Sequence, residues 1–170
     1  MRGLIRAIFF DLFDTLISEE ATENKHLPEA PLTKLPYLDD VLTELDRKGF
    51  KLGVITNTVT SREEDVRGAL RKIDIEKHFD LILTSVDVGH KKPDERIFIT
   101  ALRKFKVKPF EAVIVGNQVS TDIVGGNRVG MKTVLFRWNK RYNERITLPE
   151  EQPTRIIRSL RKLPLVIEEI

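Results

Sequence analysis

Short apolar runs alternate with stretches of helical period along almost the whole chain, and few folds accept that pattern. Residues 4–10 make an apolar run that stops at Asp11, as a buried strand would. Residues 37–48 set Leu38, Val41, Leu42 and Leu45 on one helical face, and Gly49 supplies the stop. A second strand is expected over 51–55. Ser61 reads as the cap of a helix over 62–72, with Glu64 three residues on as its capping-box partner. Strands over 80–84, 112–115 and 132–136 alternate with helices over 94–105 and 121–128, the latter closed by Gly130. Residues 155–157 read as a short sixth strand, before a last helix from about Ser159.

Strands alternating with helices predict an α/β fold. It is a three-layer, doubly wound, Rossmann-like arrangement with a mainly parallel central sheet. Strands covered on both faces lose the in–out alternation of a half-exposed sheet, as Ala112-Val113-Ile114-Val115 does. Ligands of such sheets bind at the carboxyl ends of the strands.

At 170 residues the chain predicts one domain over 1–170. Cysteine is absent, which excludes disulfides, thiolate metal sites and cysteine nucleophiles. That is compatible with a reducing cytoplasm, the compartment expected. No run approaches the roughly 18 apolar residues of a membrane span, and the N-terminus does not read as a secretory signal, so no membrane association is expected. The net charge of +3 is mild, but eight Lys/Arg face three Glu between Arg137 and Lys162. A solvated basic face is the expected reading, and nucleic acid is not an expected partner. Trp138 is expected to pack over the sheet edge.

Residues 17–36 break the pattern, with three prolines and little periodicity. They predict a flap or loop directly after the first strand, of a length that is usually functional or mobile. The strand ends carry the chemistry. Asp11 closes the first, with Asp14 and Thr15 behind it; Thr56-Asn57 closes the second; Lys91-Lys92-Pro93 follows the third; Gly116-Asn117 closes the fourth, with Asp122 further on. Carboxylates, amides, a hydroxyl and a lysine gathered on one edge can hold a divalent cation and a phosphoryl group.

Four ordered segments resemble the motifs of the haloacid dehalogenase superfamily. They are Phe9-Phe10-Asp11-Leu12-Phe13-Asp14-Thr15-Leu16, Val54-Ile55-Thr56-Asn57, Lys92-Pro93-Asp94 with Ile97-Phe98, and Val113-Ile114-Val115-Gly116-Asn117 with Thr121-Asp122-Ile123. The resemblance implies a hydrolase whose nucleophile is Asp11, forming an aspartyl-phosphate. Thr56 and Asn57 would hold phosphoryl oxygens, and Lys92 would steady the charge on Asp11 and on the phosphoryl group. Mg²⁺ would be held by Asp11, the backbone carbonyl of Phe13, Asp122 and Asn117. The implied reaction is Mg²⁺-dependent hydrolysis of a phosphorylated substrate.

Two residues depart from the superfamily's phosphatase pattern. Phe13 stands where such enzymes carry a second aspartate that protonates the leaving group, a function typically worth about 10²–10⁴ in rate. Asp14, one residue on, or a flap carboxylate such as Glu19, Glu20 or Glu23, would have to take that place. Asn117 stands where many members have Asp, which predicts weaker metal binding. Only 44 residues separate Asp11 from Thr56, and about 35 separate Thr56 from Lys92, so no cap domain is expected. The resemblance is to the capless, phosphatase-like branch, and an open site gives a reason to expect a homodimer. The alternatives are a phosphate- and metal-binding protein of this fold with little turnover, and a metal-independent dehalogenase. A phosphoacceptor receiver domain is disfavoured, because its acceptor Asp closes the third strand, where this chain has Thr84-Ser85.

Overall fold

The computed structural model describes residues 4–19 and 27–170. The strands are β1 (Ala7–Phe10), β2 (Lys51–Thr56), β3 (Leu81–Thr84), β4 (Ala112–Gly116), β5 (Lys132–Phe136) and β6 (Arg155–Ile157). The helices are α1 (Leu38–Arg47), α2 (Glu63–Lys72), α3 (Ser85–Val88), α4 (Glu95–Phe105), α5 (Val124–Val129) and α6 (Leu163–Glu169). All strand pairs are parallel, in the order β3-β2-β1-β4-β5-β6. This is the order of a doubly wound sheet whose direction of winding reverses between β1 and β4. A receiver domain would run 2-1-3-4-5, so the topology excludes that reading.

β1 is buried on both sides. Ile8 and Phe10 pack with α1, α2 and α6 on one face, while Ala7 and Phe9 pack with α4 on the other. The Phe9 ring stacks on Phe105 with centroids 5.0 Å apart. Each such fully buried side chain contributes about 1.5–3 kcal/mol of transfer free energy. Behind β4, α4 lies against α5, and the contact depends on Gly125. A Cβ there would sit 2.2 Å from Cε2 of Phe98, a ring with no exposed surface. Gly125→Ala is therefore expected to cost about 1–3 kcal/mol by overpacking. Chemical denaturation checks this, and an unchanged midpoint would contradict it.

Register places the strand ends level. Phe10 pairs with Val54 on one side and Val115 on the other, so Asp11 follows at the height of Ile55 and Gly116. The Asp11 N–H donates to the Val115 carbonyl at 2.9 Å, which carries the strand pairing one residue past Phe10.

α6 begins at Leu163 rather than near Ser159, after a 3-10 turn over Leu160–Lys162, and α3 was not expected; three other differences have a local cause. α1 starts at Leu38 because Tyr37 is left-handed, with φ 68°. Ser61 does not cap α2. The Arg62 N–H goes to the Asp65 carboxylate at 2.9 Å and the Glu63 N–H to Asp87 at 2.7 Å, while the Ser61 carbonyl accepts from the Thr58 hydroxyl. An ionised carboxylate at the positive end of a helix dipole is a stronger acceptor than a serine hydroxyl. The helix expected from Thr121 begins earlier, in a wide π turn over Val119–Ile123. Glu144 holds its start, accepting from the Val119 and Ser120 N–H groups at 2.8 and 2.9 Å.

The two ends of the 17–36 loop are tied together. The Ser18 N–H donates to the Thr33 carbonyl at 2.9 Å, and the Leu35 N–H donates to the Leu16 carbonyl at 3.0 Å. Glu20 and Glu23 lie outside the described residues. Part of the basic tract is used inside the fold: Arg137 donates to the Glu144 carbonyl at 2.5 Å, Arg141 pairs with the buried Asp14 at 3.0 Å, and Arg161 lies over the Tyr37 ring. Among the described residues no helix is long and apolar enough to cross a membrane.

Candidate active site

A buried lysine organises the strand ends. Lys92 Nζ donates to Asp11 Oδ1 at 2.8 Å, to Asp122 Oδ1 at 2.7 Å and to the Ile55 carbonyl at 2.7 Å. All three donor positions of the ammonium are thus engaged. Burial alone would lower the lysine's pKa, but the two carboxylates outweigh it and hold the ammonium above its ordinary value. Burial pushes Asp122 up to about 6, against the attraction of Lys92.

Lys92 is delivered by two supports. Asn57, at the end of β2, clasps its backbone: Asn57 Nδ2 donates to the Lys92 carbonyl at 3.0 Å, and the Lys92 N–H donates to Asn57 Oδ1 at 2.8 Å. On the other side Asp94 caps α4, accepting from the Arg96 N–H at 2.9 Å, and Ile97 and Phe98 anchor that helix in the core. Asn57, expected to hold phosphate, thus spends its side-chain amide on positioning the lysine. Thr56 is fully buried, and its hydroxyl finds no partner among the described residues. Buried polar atoms are nearly always satisfied, so an orphan hydroxyl at a strand end stands out.

The remaining oxygen of Asp11 faces β4. The Asn117 amide lies 3.0 Å from Asp11 Oδ2 and 3.3 Å from the Phe13 carbonyl. With its nitrogen toward them it donates to both. With its oxygen toward them, a carboxylate, an amide oxygen and a backbone carbonyl converge, and that is the donor set of a hard cation. The residues therefore fit a divalent ion, although no three His, Asp or Glu side chains gather among the described residues. Asp122, expected as a metal ligand, is engaged otherwise. Its Oδ1 takes Lys92, and its Oδ2 takes the Gln118 N–H at 3.2 Å. Gly116 permits this approach, since a Cβ there would lie 2.2 Å from Asp122 Oδ2.

Asp11, Phe13, Lys92 and Asn57 open onto a cavity of about 120 Å³, together with Glu19, Gln118 and Thr121. Asp14, the expected substitute acid, is not on this wall. It is left-handed at φ 54°, fully buried, and its carboxylate accepts from Arg141 at 3.0 Å, from Asn139 at 3.2 Å and from the Glu19 N–H at 2.9 Å. Its carbonyl accepts from Trp138 Nε1 at 2.8 Å, so Trp138, an exposed ring, is tied to the loop after Asp11 by a hydrogen bond. Gln118 and Thr121 were not legible as cavity residues. The π turn at 119–123 brings them there, and such turns recur at functional sites.

Comparison with known proteins bears on this arrangement. A family model described as haloacid dehalogenase-like hydrolase matches residues 7–136. A glyceraldehyde 3-phosphate phosphatase of Methanothermobacter thermautotrophicus is 34% identical over 132 residues, which covers 78% of this chain and 57% of that protein. A ribulose-1,5-bisphosphate 5-phosphatase of Halopiger xanaduensis is 32% identical over 123 residues, covering 72% of this chain and 49% of its own length. The chain thus spans about half the length of these curated relatives. A crystal structure of an uncharacterized protein from Listeria monocytogenes serotype 4b superimposes with a TM-score of 0.85 at 26% identity, covering 98% of this chain and 100% of that one.

Proposed function

Because the chain belongs to the haloacid dehalogenase-like hydrolase family, we propose that it is a phosphomonoester hydrolase working through an aspartyl-phosphate on Asp11. The observation that carries this reading is the buried lysine joined to Asp11 and Asp122 at a cavity wall. A carboxylate that must attack an anion needs a fixed positive charge beside it, and the Lys92 ammonium offsets both the attacking and the transferring oxygens. Asp122 holds Lys92 in place and keeps it charged. The Thr56 hydroxyl gains from a phosphoryl oxygen the partner it lacks. Mg²⁺ bound by Asp11, Asn117 and the Phe13 carbonyl would neutralise phosphoryl charge and orient it for in-line attack.

Two relatives are named as phosphatases of small sugar phosphates, which supports that substrate class. A second reading, phosphate and metal binding with little turnover, draws on Phe13 and Asn117. The test is phosphate release from p-nitrophenyl phosphate and a panel of sugar phosphates, with and without Mg²⁺. Release that depends on Mg²⁺ and stops with EDTA is expected. Binding of beryllofluoride without turnover would favour the second reading, and halide release from haloacids without metal would replace both.

A further inference from the structure

Resting on the phosphatase reading, we propose that Glu19 is the general acid and base of the reaction, taking the place of the carboxylate that Phe13 does not supply. Apart from Asp11, Glu19 is the one carboxylate among the described residues lining the cavity. It therefore shares with Asp11 the space in which a phosphoryl ester and its attacking water would have to sit. Its side chain is 26% exposed, so it can exchange protons with solvent.

Glu19 is held in place, although it belongs to the loop that follows β1. Its N–H donates to Asp14 Oδ1 at 2.9 Å, and its carboxylate accepts from the Tyr142 hydroxyl, 3.0 Å from each oxygen. Arg141 Nε lies 3.9 Å from Glu19 Oε2 and 3.0 Å from Asp14 Oδ2. The buried Asp14 thus acts as a positioning residue, tying the Glu19 backbone to the segment after β5. The electrostatics suit a proton carrier. Burial raises the Glu19 pKa above the ordinary carboxylate value, with Asp14 and Asp11 adding to the rise and Tyr142 and Arg141 opposing it; Lys92 is on the same cavity wall. Tyr142 is pushed up to about 12, so it stays a donor.

The steps balance. Asp11 attacks phosphorus, the bond to the ester oxygen breaks, and the leaving alkoxide takes the Glu19 proton. The Glu19 carboxylate then takes a proton from water as that water's oxygen attacks phosphorus. The Asp11–phosphorus bond breaks, and phosphate leaves.

The experiment compares an alkyl phosphate, a poor leaving group, with p-nitrophenyl phosphate, a good one, in the wild type and in Glu19→Gln. Glu19→Gln is expected to lose about 10²–10⁴-fold on the alkyl ester. The first turnover of p-nitrophenol should be nearly unchanged, followed by slow steady-state release, because water attack lacks its base. Adding Phe13→Asp to Glu19→Gln should restore alkyl ester hydrolysis. Tyr142→Phe removes a bond that stabilises the ionised form, so the pH limb of Glu19 should move upward. Equal losses in the first turnover of the two esters, or no loss on either, would overturn the assignment while leaving the phosphatase reading intact. A wild type that hydrolyses neither ester would overturn that reading itself.

Discussion

Asp11→Asn is expected to lower phosphate release by at least ~10⁴-fold, the scale at which loss of a covalent nucleophile is felt. The asparagine keeps the shape of the site but not its nucleophilic oxygen or its charge. Lys92 Nζ keeps Asp122 and the Ile55 carbonyl as partners, so the fold should survive. Unchanged far-UV circular dichroism with near-background turnover is the expected pairing. Retention of more than a few per cent of the activity would place the reacting carboxylate elsewhere.

Lys92→Met carries the largest expected cost in stability. It removes the only cation in contact with Asp11 and Asp122 among the described residues and leaves two carboxylates sharing a buried crevice. Breaking a buried ion pair by removing one partner costs about 3–5 kcal/mol. The deficit should depend on pH. Asp122 already sits near 6 with Lys92 present, above its ordinary value, and without the lysine it rises further. A folded-state carboxyl pKa above the unfolded one means that the folded state binds the extra proton. Stability is then recovered as pH falls and lost as it rises through the folded value. Guanidinium denaturation should show a larger deficit at about pH 8 than at about pH 5. A midpoint equal to that of the wild type at both pH values would contradict the buried-charge account.

The gathering of Asp11, Lys92 and Asp122 was legible because it depends on topology. Asp11 and Lys92 are 81 positions apart and Lys92 and Asp122 are 30 apart. In a parallel sheet, however, every strand end falls on one edge, so residues just past successive strands meet. The strands were legible because both faces are covered, leaving nearly continuous apolar runs. Side-chain partners between loops follow no such period. Asn57 looked like a phosphate ligand, and its side chain clasps the Lys92 backbone, a role that no local spacing signals. Asp14 looked like a spare acid, and it is turned by its left-handed backbone toward Arg141, which lies in a loop far along the chain. Ser61 looked like a cap and loses to Asp87, which lies 24 positions beyond the N–H it satisfies. In each case the partner is set by which loops meet in space. Glu19 meets Tyr142, 123 positions away, a partner that no local spacing signals.

The most direct test of the account is chemical trapping of the covalent enzyme. Wild type and Glu19→Gln are mixed with p-nitrophenyl phosphate and Mg²⁺, quenched in acid within one turnover, reduced with borohydride and mapped by peptide mass spectrometry. An aspartyl-phosphate is reduced to homoserine, and the account predicts that change at Asp11, more abundant in Glu19→Gln. Turnover with position 11 unmodified in both proteins, or modification at another carboxylate, would contradict it.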